Sequence, residues 1–399
     1  MRDFTDKHIV IIIEDMPAPL DRRVWQEAIA LKEKGSSVSI ICPKMKGYNK
    51  SYEVIDGIKI YRHPIPFEAE RAVGFLLEYS TALLFEFALL VKIYLKQKIN
   101  VIQGCTPPDL MFLPVLPFKL FGVKYVFDHH DLNPELYLSK FNKKGFFYQL
   151  LKLFEKMNFR TADFSIAMNS SYKNIAIERG KMNPENVSIV RSGPDLERLK
   201  ICKENMKYKN DKKFLVGYLG VISKQDGVDL LMKIIRLVLD RRDDVQFAII
   251  GGGLELENIK DIAAKLKIKN DVTFYGMVKD NNLLSEIIST CDICVNPDEY
   301  NEFNDTCTSV KIMEYMALKK AVVQFDLKEG RYSAQKAALY AENGSLHDFA
   351  DKICYLLDQK MLREEMAEFG YQRVVKELSW QNEKMKYLNF YSKVFSNRN

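Results

Sequence analysis

Short runs of apolar, often β-branched residues recur along the chain, and most are followed by a longer stretch whose apolar positions fall three and four residues apart. HIVIII (8–13) precedes DRRVWQEAIALKEKG (21–35) and SVSIICP (37–43). NVIQG (100–104), KYVFDHH (124–130), FSIAMN (164–169) and VSIVRSG (187–193) continue the series. Runs that are apolar throughout, not at alternate positions, fit parallel strands covered on both faces by crossover helices. The helix within 21–35 should stop at Gly35, a residue suited to helix ends. The text becomes charged and irregular at LERLKICKENMKYKNDKK (196–213), and a second series follows: KFLVGYLGV (213–221), DVQFAIIGGG (244–253), DVTFYGMV (271–278), CDICVNP (291–297) and KAVVQFD (320–326). The pattern predicts two doubly wound, Rossmann-like α/β domains, at 1–195 and 214–377, with 196–213 as linker. An amphipathic helix within 378–399 carries Trp380, Met385, Leu388, Tyr391 and Val394 at helical spacing. It either finishes the second domain or crosses back to the first. In such sheets ligands bind at the carboxyl ends of the strands, so a cleft between two facing domains is the expected site.

Composition narrows the function classes. With 399 residues the chain is too long for one ordinary core, and 47% hydrophobic residues argue for folded domains. The net charge of +6, from 59 basic and 53 acidic residues, falls short of a dedicated nucleic-acid binder. No nucleic-acid partner is expected; an acidic ligand or an anionic membrane surface suits the charge. Seven cysteines show no disulfide framework, and the pair Cys291 and Cys294 lies in a strand-like run, which reads as core. The N-terminus lacks the features of a signal peptide. The most apolar long segment, Ala72 to Leu95, is interrupted by Glu78, Glu86 and Lys92, so nothing is expected to span a bilayer. The expected location is cytoplasmic, free or peripheral on the membrane.

One segment does not fit a simple core. In NDTCTSVKIMEYMALKKAVV (304–323) a loop leads into a helix with apolar Val310, Ile312, Met313, Met316 and Ala317, yet Glu314 sits among them with Lys311 one turn earlier. Either this is a solvated Glu–Lys edge or the carboxylate serves a ligand. The glycines of VGYLGVISKQDGVDLL (216–231) and of IIGGG (249–253) follow strands; they serve tight turns or close approach of a ligand.

Taken in order, GYLGV, IIGGG and SVKIMEYMALKKAVV, together with DRRVWQEAIALKEKGSSVSIICP (21–43) and YVFDHHDLNPELY (125–137), resemble the retaining GT-B glycosyltransferases of family 4, in particular their bacterial cell-surface polysaccharide branch. The resemblance covers nearly the whole chain. It implies transfer of a sugar from a nucleotide-diphosphate donor to a glycan acceptor, here lipid-linked, with retention of anomeric configuration and without a metal or other cofactor. It implies that Glu314 grips the ribose hydroxyls. The helix N-terminus near Thr306, Thr308 and Ser309 would meet the diphosphate, with Lys311, Lys224, Gly220, Gly251 and Gly252 around the donor. His130, with Asp131 beside it, would face the sugar, His129 being the alternative. Asp305 is a further catalytic candidate. Asp21, Arg22 and Arg23 would shape the acceptor side, unless they form a surface ion-pair cluster. The chain departs from the family pattern at Thr306, where a glutamate is usual, and at Val221 and Asp226, where an arginine and a lysine usually clamp the diphosphate. These departures leave two alternatives: a nucleotide-sugar epimerase of the same fold, or a catalytically silent glycosyltransferase-like binding protein.

KFNKKGFFYQLLKLFEKMNFR (140–160) places Phe146, Phe147, Leu150, Leu151, Leu153, Phe154 and Met157 on one broad apolar face, with Lys143, Lys144, Lys152, Lys156 and Arg160 around it. Such a helix either packs on its own sheet or docks on an anionic membrane.

Overall fold

The computed structural model describes residues 4–65 and 72–397, with 72–79 described as backbone only. The chain divides into two compact units, one formed by 1–191 together with 384–399 and the other by 192–383.

In the first unit the order is β1 (His8–Ile12), α1 (Arg22–Glu33), β2 (Ser37–Pro43), β3 (Tyr52–Ile55), β4 (Ile58–His63), α2 (Ala72–Lys96), β5 (Val101–Cys105), α3 (Phe112–Lys119), β6 (Lys124–His129), α4 (Asn133–Phe141), α5 (Phe146–Thr161), β7 (Phe164–Ala167), α6 (Ser170–Glu178) and β8 (Val187–Ile189). The strands form one sheet in the order β3-β4-β2-β1-β5-β6-β7-β8. All pairings are parallel except β3 with β4. The order reverses between β1 and β5, which lie in register from Ile9↔Val101 to Ile12↔Gly104. The β3–β4 hairpin was not expected. Its turn is Asp56-Gly57, both at positive φ, the pairing that suits a two-residue hairpin.

The second unit contains β9 (Phe214–Leu219), α7 (Val228–Leu239), β10 (Val245–Ile250), α8 (Leu256–Lys265), β11 (Val272–Gly276), α9 (Asn281–Thr290), β12 (Ile293–Asn296), α10 (Glu302–Thr306), α11 (Val310–Ala317), β13 (Ala321–Phe325), α12 (Lys328–Ala334), β14 (Ala338–Ala341), α13 (Leu346–Asp358) and α14 (Lys360–Arg373). Its six parallel strands run β11-β10-β9-β12-β13-β14, reversing between β9 and β12. Apolar residues on the two faces of this sheet form two cores, one under α7 and α13 and one under α9 and α11. Segment 196–213, read from its charge as a linker, is held in this unit. Leu199 and Tyr208 are buried in the second of these cores, and Lys209 pairs with Asp292 at 3.0 Å.

The last helix, α15 (Trp380–Ser396), begins in the second unit and passes into the first from Lys384 onward. There Tyr387 and Tyr391 donate hydrogen bonds to Gln103 Oε1 on β5, at 2.9 and 2.6 Å. Among the described residues no helix is long and apolar enough to cross a membrane.

Candidate active site

In the second unit the candidate residues gather at the carboxyl ends of β9, β10 and β12. Gly251 follows β10 at φ 147°, and a Cβ there would lie 1.7 Å from the Gly220 carbonyl oxygen. The two loops touch backbone to backbone, which explains the glycine before any ligand is invoked. Gly252 differs: a Cβ there would meet nothing closer than 3.7 Å.

α11 packs its apolar face into the core, with Ile312, Met313, Tyr315 and Met316 buried. Tyr315 ties the helix to the neighbouring strands, accepting from the Leu219 N–H at 2.7 Å and donating to the Val295 carbonyl at 3.2 Å. Ser309 does not cap the helix with its side chain; it lies 3.3 Å from Asp298 Oδ2 instead. The Ser309 hydroxyl is thus turned away from the first-turn N–H groups, an arrangement that suits an anion there.

Glu314, one turn on, is only 9% exposed. Arg198 donates to its Oε1 and, through its other terminal nitrogen, to Asn281 Oδ1 at 3.1 Å. Arg198 was hidden in the supposed linker. Its sequence context is a run of mixed charge with no periodicity that would mark it.

Lys311 lies 2.9 Å from Asp298 and 3.6 Å from Asp226, above the Tyr218 ring. Burial works against its charge, but Asp298, Tyr218 and Asp226 outweigh burial and hold the ammonium well above the ordinary lysine range. Two carboxylates on one ammonium leave the cluster with excess negative charge. Lys311 therefore anchors the loops bearing Asp226 and Asp298 and is not, in this arrangement, a free phosphate clamp. Asp226 also accepts from Ser223 Oγ at 2.6 Å. Lys224, between them in sequence, is exposed.

The α10 residues are committed locally. Thr306 Oγ1 donates to the carbonyls of Glu302 and Phe303. Asp305 Oδ1 accepts from the Lys328 N–H at 2.8 Å, at the start of α12. Thr308 is buried.

In the first unit the centre is Asp128, the penultimate residue of β6. Its carboxylate lies 2.9 Å from His130 Nε2 and 3.1 Å from Arg23, and accepts from Gln103 at 2.9 Å. For His130, burial opposes the charged form, but Asp128 outweighs it and holds the imidazole well above the usual histidine range. Glu27 completes the network: burial, opposed by Arg23, pushes its carboxyl up to about 8. Arg23, expected on the acceptor side, is buried here and also donates to the Val190 carbonyl at 3.0 Å. Asp21 caps α1 through the Val24 N–H at 2.8 Å, and Arg22 is exposed. Arg23 is thus an interior ion-pair residue and not part of a surface cluster. The His130 and Asp131 N–H groups both point to Thr106 Oγ1, at 2.9 and 3.2 Å, and burial raises the Asp131 carboxyl. His129 is a core residue. It packs against Phe127, Phe159 and Tyr172, and burial lowers its pKa to about 3. Asp128 is not among the residues the sequence singles out, although its place at a strand end beside two histidines is a signal for it.

The helix 146–161 also departs from its simplest reading. α5 buries Tyr148, Glu155, Asn158 and Phe159, and Glu155 pairs with Arg179, which also binds Glu135. The expected apolar face is turned outward: Phe146 is 75%, Phe147 52% and Leu153 50% exposed. With α4 it lines a cavity of about 450 Å³ containing Leu110, Leu136, Phe141, Phe147 and Phe154.

Comparison with known proteins agrees with this architecture. Residues 213–359 match the family model described as Glycosyl transferases group 1. The chain is 23% identical over 181 residues to a poly(ribitol-phosphate) alpha-N-acetylglucosaminyltransferase of Staphylococcus aureus (strain COL), covering 45% of this chain and 35% of that protein. It is 24% identical over 249 residues to the capsular polysaccharide biosynthesis glycosyltransferase CapM of Staphylococcus aureus, covering 60% and 63%. The chain thus spans less than two thirds of either relative. Among solved structures, sucrose-phosphate synthase from Thermosynechococcus elongatus superposes with a TM-score of 0.81 at 16% identity, covering 98% of this chain and 99% of that one. Anabaena HepE, in complex with UDP and glucose, gives 0.71 at 12% identity, covering 98% and 100%. The fold is that of the GT-B glycosyltransferases: two parallel-sheet α/β domains.

Proposed function

We propose that this chain is a glycosyltransferase that moves a sugar from a nucleotide-diphosphate donor to a lipid-linked glycan in surface polysaccharide biosynthesis, with retention of configuration. The observation that carries the reading is Glu314, a nearly buried carboxylate on a largely apolar helix, paired with Arg198. It lies inside the segment that matches the group 1 model. A carboxylate so placed accepts hydroxyl donors, as the two hydroxyls of a ribose would supply. The N–H groups of the α11 first turn would meet the diphosphate, with the exposed Lys224 as the mobile cation and Lys311 bracing the loops. We assign His130 the role of hydrogen-bond donor to the transferred sugar. Its charge is set by Asp128, so it is poorly suited to act as a base. The departing diphosphate would itself help deprotonate the incoming hydroxyl.

The outward apolar face of α5 supports the lipid-linked acceptor. Lys143 and Lys144 are exposed beside Phe146 and Phe147, a combination that suits an anionic bilayer surface. The protein should co-sediment with anionic vesicles, and binding should fall as salt shortens the Debye length from about 10 Å at 0.1 M to about 3 Å at 1 M. Equal binding to neutral vesicles would refute the electrostatic part.

The test of the whole reading is a thermal-shift screen against nucleoside diphosphates and their sugars. A ligand at 100 times its Kd stabilises by about 2.7 kcal/mol. Absence of any shift would sink the proposal. A second reading, nucleotide binding without transfer, is favoured by one observation: the Thr306 hydroxyl is tied to its own helix. Shifts with nucleotides, but no donor turnover with any acceptor, would select it.

A further inference from the structure

Away from the residues discussed so far, three side chains of the first unit converge: Glu14, just past β1; His63, the last residue of β4; and Glu86, on α2. One ligand atom from each lies within 4.8 Å of the others. All three are nearly or fully buried, at 9%, 2% and 0% exposure.

Their hydrogen bonds close only if added protons sit between groups that otherwise face one another as acceptors. His63 Nδ1 lies 3.1 Å from the Pro64 carbonyl oxygen, which can only accept, so Nδ1 carries the proton. In the neutral ring Nε2 then presents a lone pair, and it faces Glu14 Oε2 at 2.9 Å. A proton on Nε2 would join His63 to Glu14, and Glu86, fully buried, faces only the Glu14 carboxyl, so the two acids meet either across a proton held between them or across a cation. Arg62, the neighbouring residue, does not supply the missing charge. Successive strand residues face opposite sides, and its guanidinium is taken by Glu53 at 2.7 Å and by the Ala18 carbonyl at 2.6 Å.

We propose that Glu14, His63 and Glu86 form a binding site for one divalent metal ion. Two carboxylates and one imidazole are a ligand set for a first-row divalent ion such as Mn²⁺ or Zn²⁺. One ion would take the place of the protons that otherwise have to separate His63, Glu14 and Glu86. The Nδ1–H···O=C bond to Pro64 is the support commonly found behind a metal-bound histidine, fixing the tautomer and the ring plane. The second triad of this kind, Cys105, Asp128 and His130, is different. There the Arg23 guanidinium lies 3.1 Å from Asp128 and 3.0 Å from His130, so a cation is already in place. The Glu14–His63–Glu86 ion would tie α2 to the ends of β1 and β4. It is independent of the nucleotide reading, which rests on the second unit.

The test uses the full-length protein, stripped with EDTA and dialysed, then titrated with MnCl₂ by calorimetry. Mn²⁺ is chosen because the seven free cysteines would compete for softer ions. One equivalent should bind, and saturating Mn²⁺ should raise the melting temperature. Glu86→Gln keeps the side-chain shape and should weaken binding at least about tenfold and abolish the thermal shift, a loss no smaller than that typical of outer-shell partners. Glu14→Gln should do the same, and serves if the first variant folds poorly. Failure of the wild type to bind an equivalent would overturn the proposal and leave protons alone at the site. So would binding that neither substitution weakens.

Discussion

Replacing Glu314 with glutamine separates its two roles, because the amide oxygen can still accept from Arg198 while the charge is gone. Arg198 keeps Asn281 as a second partner at 3.1 Å. Its own side chain is 15% exposed and that of Glu314 12%, so some solvent screening remains. Removing a partner altogether, as in Glu314→Ala, approaches the penalty of breaking a buried pair, about 3–5 kcal/mol. Glu314→Gln should cost much less, about 1 kcal/mol, the difference between a charge-assisted and a neutral hydrogen bond. At the ribose the same exchange applies to two hydroxyls. The loss is then about 2 kcal/mol, or about thirtyfold in affinity. Calorimetric titration with the nucleoside diphosphate that gives the largest thermal shift, with melting curves recorded in parallel, measures both quantities. A double-mutant cycle with Arg198→Met should show a coupling of about 0.5–3 kcal/mol in stability. Glu314→Gln protein that binds that nucleotide as tightly as the wild type would refute the assignment of this carboxylate to the nucleotide.

His130→Ala should lower turnover by about 10²–10³, the typical loss for one preorganised donor, with affinity for the bare nucleotide unchanged; normal turnover, or an inverted product by NMR, would refute its role. Lys311→Met should leave Asp298 and Asp226 facing each other without a cation and destabilise the second unit by about 3 kcal/mol, seen as a lower urea midpoint. His129 has a folded pKa of about 3, lowered by burial from 6.5. Its stabilising contribution is complete above pH 6.5 and fades as pH falls toward 3, at up to about 1.4 kcal/mol per unit. His129→Phe should flatten that acid loss in urea titrations at pH 7, 5.5 and 4.5, and an unchanged slope would show that His129 does not titrate in this range.

The strands were legible because both sheets are covered on two faces, which forces continuous apolar runs such as HIVIII and SVSIICP. The β3–β4 hairpin carries its own signal, Asp56-Gly57, but it interrupts the helix–strand alternation that frames the rest of the chain. Segment 196–213 misled because its anchors, Leu199 and Tyr208, are isolated apolar residues among charges. α5 misled in the opposite sense. Its inward face is polar, and Arg179, some two dozen residues away, makes burial of Glu155 tolerable. Glu314 stood out because a charge inside an apolar helix breaks a local rule. Arg198 breaks none, and its meaning is entirely tertiary. The same holds for Lys311, whose fate depends on Asp298 and Asp226.

The return of α15 to the first unit reverses the order in which the two halves can be completed during synthesis. Residues 192–383 form one uninterrupted unit, whereas the first unit needs residues from 384 onward. The half translated first is therefore finished last. Gln103, fully buried on β5, waits for Tyr387 and Tyr391, which lie 284 and 288 positions downstream. At about 5–20 residues per second that interval lasts about 15–60 s. Through it a polar group at the centre of the sheet, bonded on one side to Asp128 and Glu27, lacks the hydroxyls that close its other side. The nascent first unit has to persist on the ribosome with an open seam, and the segment that seals it arrives only after the second unit has had time to fold.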